Sequence, residues 1–292
     1  MTFEIFAQIA VGGILIGGLY ALFAFGLSLI YGVANILNFA HGTMLALAGI
    51  VGSVLYASLG WPPLLILAFL VPVFFLFGTG FYAILLGDMK RRSEFEATVG
   101  TVLVTVGALI VITDVAAALA GPRPRNIPVR SSIFDLNGII VPSSQAYTLI
   151  AILVLTVALH LWLKRSWFGR AVRAVTQDHF GATICGVRSS VVHAATFGLG
   201  TALAAIAGVL YAMIYPIDPY SGFSLTVKAF TIIVLGGIGN LVGALAAGLI
   251  LGLAEAYTSF FLGSQWAPAI SIILLLGILV AFPRGFAKRH KA

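Results

Sequence analysis

From Ile5 to Gly87, 83 consecutive positions, the chain carries no Asp, Glu, Lys or Arg. A soluble fold covers its surface with ionisable groups, so a stretch this long without one must face lipid over much of its area. The remaining sequence agrees. Of the 292 residues, 61% are hydrophobic and 9% are charged, against about 25% charged in an ordinary globular domain. That balance excludes a soluble enzyme, a nucleic-acid-binding domain and a disordered tail. The stretch is not a secretory signal peptide either, because it lacks a basic leader and is far too long.

A bilayer core about 30 Å thick needs roughly 20 apolar helical residues per crossing. The uncharged stretch holds three crossings, near 8–31, 39–59 and 62–87, separated by Gly32–Asn38 and by Gly60-Trp61-Pro62-Pro63. Others fall near 97–119, 145–163 and 191–215. Three more apolar pieces fill 227–283, broken at Gly236–Gly243 and at Gly263-Ser264-Gln265; the first, near 227–238, is short for a full crossing. The expectation is an all-α polytopic membrane bundle, one domain over residues 1–292. It has eight to ten segments, some broken or re-entrant, arranged as inverted repeats.

Lys and Arg set the orientation, since cytoplasmic loops collect them. Loop 88–96 has Lys90, Arg91 and Arg92. Loop 164–190 has Lys164, Arg165, Arg170, Arg173 and Arg188, and the basic tail 284–292 has Arg284, Lys288, Arg289 and Lys291. These twelve share one side, against Arg123, Arg125 and Arg130 on the other, with Lys228 near a membrane boundary. The tail is therefore expected inside and the N-terminus outside. The net charge of +7 becomes orientation rather than a nucleic-acid footprint. In the outer loop 121–144, Asn137-Gly138 between β-prone runs predicts a hairpin capping the outer face. The single cysteine, Cys185, excludes a disulfide framework or a multi-thiolate metal site, and is expected as a small, partly buried residue.

Two interruptions break membrane-length sequence, Tyr31–Gly42 and Leu235–Gly243. Unwound backbone at depth must be buried or line a cavity, and such breaks in both halves of a chain point to a transport path between repeats. Surface loops joining ordinary helices are the other reading. Asn35, Asn38 and His41 form a polar cluster that a lipid-facing helix would not carry. With Gly237, Gly239 and Asn240 they make the candidate translocation path: small residues admit the backbone, and amides can hydrogen-bond a zwitterion or an amide. Gly13/Gly17, Gly239/Gly243 and Gly248/Gly252 are steps that allow close helix packing. Charge inside a membrane is costly, which singles out Asp114 and Glu255, with Lys228 as the expected partner of Glu255.

The loop 164–190 contains an amphipathic helical pattern from Trp167 to Asp178. Phe168, Ala171, Val172 and Val175 share one face, and Arg170, Arg173 and Gln177 the other. A helix lying among lipid headgroups and a helix presented to a soluble partner fit this period equally well.

Three motifs together resemble one family: Asn38-Phe39-Ala40-His41-Gly42; Gly169-Arg170-Ala171-x-Arg173-Ala174-x-x-Gln177-Asp178 running to Gly186-Val187; and Lys228-Ala229-Phe230 running to Leu235-Gly236-Gly237-Ile238-Gly239-Asn240. Their order and spacing, with Gly248–Gly252 and Glu255, are similar to the permease subunits of branched-chain amino-acid ABC importers, over essentially the whole chain. The resemblance implies a bacterial or archaeal inner-membrane permease. Its partners would be a second, homologous permease, two ATP-binding cassette ATPases inside and a solute-binding protein outside. It also implies that Gly169, Arg170, Arg173, Gln177, Asp178 and Gly186 belong to a segment coupling to the ATPase. The chain departs from the family at Thr43, where an acid is common, at His179-Phe180-Gly181, and in lacking a proline before Gly243. Relatives of this type also carry urea, short amides and other small organic solutes, so the solute stays open.

No Gly-x4-Gly-Lys-Ser/Thr phosphate loop is present, so the chain is not expected to hydrolyse ATP or to bind a cofactor itself; ATP would be used by partner subunits. An ion-coupled secondary transporter is the rival from another class, with Asp114 and Glu255 as its only obvious carboxylates. A selective channel lacks a recognisable filter, and an intramembrane hydrolase lacks any catalytic motif.

Overall fold

The structure, a computed structural model, describes residues 3–91, 93–129, 132–136 and 138–281. The basic tail 284–292, Arg92, Arg130 and Asn137 lie outside the described residues.

Helix α1 (Phe3–Ala34) leads into α2 (His41–Leu59) and α3 (Pro63–Phe81). A π-helical turn at Tyr82–Leu86 and a 3-10 turn at Gly87–Arg91 extend α3. Helix α4 (Glu94–Ala120) opens on a capping box, Ser93 Oγ accepting from Glu96 N and the Glu96 carboxylate from Ser93 N. Strands β1 (Ile133–Leu136) and β2 (Ile139–Pro142) form the expected antiparallel hairpin. It is pinned to α1 by the Gln8 amide, which bonds both Ile140 O (2.8 Å) and Ile140 N (2.7 Å). Then follow α5 (Ser143–Arg165), α6 (Trp167–Gln177), α7 (His179–Ile184), α8 (Ser189–Ala212), α9 (Gly222–Gly236), α10 (Leu241–Leu262) and α11 (Ala267–Ala281). Among the described residues, eight helices are long and apolar enough to cross a membrane, with Ser264–Ile278 as a shorter apolar piece.

The helices pack as two related sets. Helix α1 packs on α9 and α10 as α8 packs on α2 and α3; α2 meets α3 and α4 as α9 meets α10 and α11; and α1 crosses α8 between the sets. The central crossing is antiparallel, because Leu29 clusters with Val192 while Phe23 meets Tyr211 at the other end of the contact. Gly26 and Gly200 face each other there, and a Cβ on either would run into the carbonyl oxygen of the other. Helices α5–α7 are inserted between the two sets.

Three sequence expectations change. The short segment near 227–238 starts earlier, since a 3-10 turn at Pro219–Ser221 begins a continuous helical piece, Pro219–Gly236. Lys228 consequently lies inside a span rather than near a boundary. Cys185 is exposed, not partly buried, because it ends α7 ahead of Gly186, whose φ of +84° turns the chain at the surface.

Candidate functional site

Helix α1 stops at Asn35, the one described non-glycine residue with a positive φ (+54°). The chain then turns back along α1 instead of leaving the bundle. His41, first residue of α2, sets its Nε2 3.0 Å from Phe23 O, and Phe23 precedes the end of α1 by eleven residues, about 16 Å of helix. Helix α2 thus begins deep inside. Asn38 shapes the return: its Oδ1 accepts from Ala40 N (3.1 Å) and its carbonyl from His41 N (3.3 Å).

The start of α9 meets the start of α2. Thr226 Oγ1 accepts from Gly42 N (2.9 Å) and can donate to Phe39 O (3.1 Å) or Gly222 O (3.0 Å). A Cβ on Gly42 would strike Gly222 O, and one on Gly222 would sit 2.6 Å from Thr43 Cα. Two helix N-termini, each a positive dipole end, therefore converge inside the bundle. Three side-chain atoms at this place are buried without a partner among the described residues: Asn38 Nδ2, His41 Nδ1 and Thr43 Oγ1. His41 Nε2 donates to a carbonyl, so Nδ1 is a bare acceptor.

The sequence-stated path residues separate. Asn38 and His41 belong to this junction, whereas Asn35 is exposed at the end of α1. The second interruption meets the first only at its edge: Gly239 N donates to Ser28 Oγ (3.0 Å), and a Cβ on Gly32 would lie 3.0 Å from Gly239 Cα. Gly237 is buried, and exposed Asn240 caps α10 by accepting from Gly243 N (3.0 Å). The partner of the first break is the start of α9. Its Asp218-Pro219-Tyr220-Ser221-Gly222 run carries turn chemistry that could have marked it.

Lys228 Nζ lies 2.8 Å from Glu255 Oε2 and 2.6 Å from Tyr20 OH, which itself donates to Glu255 Oε2 (2.6 Å). Ser271 Oγ donates to the other carboxylate oxygen (2.5 Å). The Lys228 and Glu255 side chains are 13% and 6% exposed, so the charge is enclosed and the carboxylate oxygens are occupied from three helices, α1, α9 and α11. Asp114 is exposed on α4.

At the basic end of the bundle, α6 buries Ala171, Val172 and Val175 against Leu29 and Val33 of α1. Gly169 is required, since a Cβ there would overlap Leu163 O. Arg173 donates to Leu163 O (2.7 Å) and Lys164 O (3.3 Å), and Arg170 to Arg165 O (3.2 Å). Both arginines thereby satisfy the last carbonyls of α5. Asp178 caps α7 through Phe180 N (2.9 Å), and Gln177 is exposed. The apolar residues left bare on α7 are Phe180 (75% exposed) and Ile184 (72%), one turn apart.

A family model described as "Branched-chain amino acid transport system / permease component" matches residues 9–282. The chain belongs to this family. It is 31% identical to the high-affinity branched-chain amino acid transport system permease protein LivH of Escherichia coli K12, covering 98% of this chain and 97% of that protein. It is also 31% identical to BraD of Pseudomonas aeruginosa, with coverages of 97% and 96%. The autoinducer 2 import system permease protein LsrC of Yersinia enterocolitica is 28% identical over 89% of this chain and 71% of its own length. The chain is a multi-pass membrane protein of a transport-permease family.

Proposed function

We propose that the chain is the permease subunit of an ABC importer for a small polar solute, a branched-chain or other amino acid before urea or a short amide. It would pair with a second, homologous permease, with two ATPases at the basic end, taken as cytoplasmic, and with a solute-binding protein opposite. The observation that carries this reading is mechanical. The buried face of α6 rests on Leu29 and Val33 of α1, and the same helix, two turns on, carries Phe23 and Gly26, against which the α2 start is seated. A push on α6–α7 is thus delivered through one rigid helix to the junction of α2 and α9. There the unpaired Asn38, His41 and Thr43 atoms and two positive helix ends offer a zwitterion or an amide its hydrogen bonds. Arg170, Arg173 and Asp178 shape the coupling segment, while Phe180 and Ile184 are the side chains free to enter a groove on the ATPase.

In proteoliposomes holding the assembled transporter, uptake should follow internal ATP and survive an ionophore. Phe180→Asp should lower ATP-driven uptake about ten-fold or more, as for loss of a buried aromatic anchor, while the permease still reaches the membrane. Uptake abolished by the ionophore at constant ATP would establish the ion-coupled alternative instead.

A further inference from the structure

We propose that the cleft between the end of α3 and the α7–α8 turn binds the phosphodiester headgroup of an anionic phospholipid. The cleft, about 710 Å³, opens at the basic end of the bundle, with Tyr82 and Ala83 on one wall and His179, Arg188, Ser189 and Ser190 on the other. Among the described residues, the exposed Arg188 side chain has no hydrogen-bond or ion-pair partner. Its fork of N–H groups matches two phosphate oxygens. Ser190 adds an exposed hydroxyl beside it. The His179 and His193 rings stack 5.8 Å apart along the wall, with Tyr82 6.1 Å from His193. Asp88, the acid in the lining, is engaged in an interaction within the fold, and the sequence continues from it into Lys90-Arg91-Arg92.

The walls distinguish a lipid from a soluble anion. Tyr82 and Ala83 lie near the end of the span-length piece Pro63–Met89, and Ser189 and Ser190 open the span-length α8, Ser189–Ala212, with Arg188 just before it, so the mouth of the cleft lies where membrane meets water. Ile84, next to the lining, is 81% exposed, and Val191, within it, 58%. Acyl chains lying over Ile84 and Val191 would bring their phosphate to Arg188, the arrangement of basic pockets between spans that hold lipid headgroups. A free phosphate would use the arginine and leave the apolar rim bare. The ATPase-facing side chains Phe180 and Ile184 follow His179 and Thr183 by one residue each, so they project from a neighbouring face of α7 and the two surfaces are separate.

The test uses the full chain with its co-purifying subunits in nanodiscs of phosphatidylcholine containing a minor share of phosphatidylglycerol. Native mass spectrometry counts the lipids retained on release. Retained phosphatidylglycerol should exceed its share of the bilayer about five-fold, the weight of one basic group at an anionic surface. Arg188→Gln should abolish the enrichment, and Arg165→Gln, at the same end but outside the cleft, should preserve it. Ser190→Glu keeps Arg188 and the packing beneath it, and should abolish the enrichment too, which covers the case of an unstable Arg188 variant. Enrichment unchanged in Arg188→Gln or Ser190→Glu overturns the proposal. Displacement of the lipid by millimolar glycerol 1-phosphate would also overturn it, making this a site for soluble phosphates.

Discussion

The starts of α2 and α9 are two versions of one construction. Each follows a break, and each is opened by a side chain that accepts from the amide two residues on, Asn38 from Ala40 N (3.1 Å) and Asp218 from Tyr220 N (2.9 Å). Four residues after that comes a glycine, Gly42 or Gly222, pressed against the other start. They differ in what remains unpaired. At α9 the Thr226 hydroxyl is engaged with Gly42 N and with Phe39 O or Gly222 O. At α2, Asn38 Nδ2, His41 Nδ1 and Thr43 Oγ1 are buried without a partner among the described residues. A buried polar group left unpaired costs about 1–3 kcal/mol, and three at one place are a cost that packing alone would have removed. One start has its hydroxyl engaged in closing the junction; the other, on the proposed function, would offer its polar atoms to a passing solute.

The charge is just as unequal. The pair Lys228–Glu255 stands on α9 and α10, while the residue at the same offset along α2 is Ala48. Lys228→Met would leave the Glu255 carboxylate enclosed without its cation, and should lower stability by about 3–5 kcal/mol. Thermal unfolding in detergent, followed by size-exclusion recovery, reads this. The double variant Lys228→Met/Glu255→Met should regain most of the loss. If it does not, the network serves more than the packing of α9 against α1 and α10. Next in size are Gly42→Ala and Gly222→Ala, each about 1–3 kcal/mol, because the added methyl meets backbone that cannot give way. Gly12→Ala, with nothing within 4 Å of the new carbon, should be neutral or slightly stabilising. A large difference between Gly42 and Gly222 would break the equivalence of the two starts.

The spans were readable from hydropathy because lipid imposes a length and an apolar composition on each crossing. Loop chemistry was readable for the same local reasons: Asn137-Gly138 marked the hairpin, and the period of Phe168, Ala171, Val172 and Val175 marked α6. The junction was only half legible. Asn38 and His41 stood out as polar residues in apolar surroundings, but the turn they build meets Gly222 and Thr226, far along the chain, through Phe39, Gly42 and Thr43. Periodicity reports which face is apolar, not which distant glycine a backbone touches. Arg170 and Arg173 show the opposite limit. The period left their charged face open to lipid headgroups or to a soluble partner, and could not show that the guanidinium groups are engaged with the carbonyls ending α5.

The finest test of the comparison uses the same substitution at both starts. Thr226→Val keeps the shape and removes the hydroxyl, leaving Gly42 N buried without its acceptor, so about 1–2 kcal/mol should be lost. Thr43→Val removes a hydroxyl that bonds nothing among the described residues, so stability should be unchanged or slightly higher. Transport should respond in reverse order. If the α2 start meets the solute, Thr43→Val raises the KM for uptake, while Thr226→Val reduces the amount of folded transporter with little change in KM for what remains. Equal effects of the two on stability, with KM untouched by either, would mean that both starts are structural and that the solute passes elsewhere. Because valine is smaller in neither case, the difference isolates one oxygen atom at each of two equivalent places.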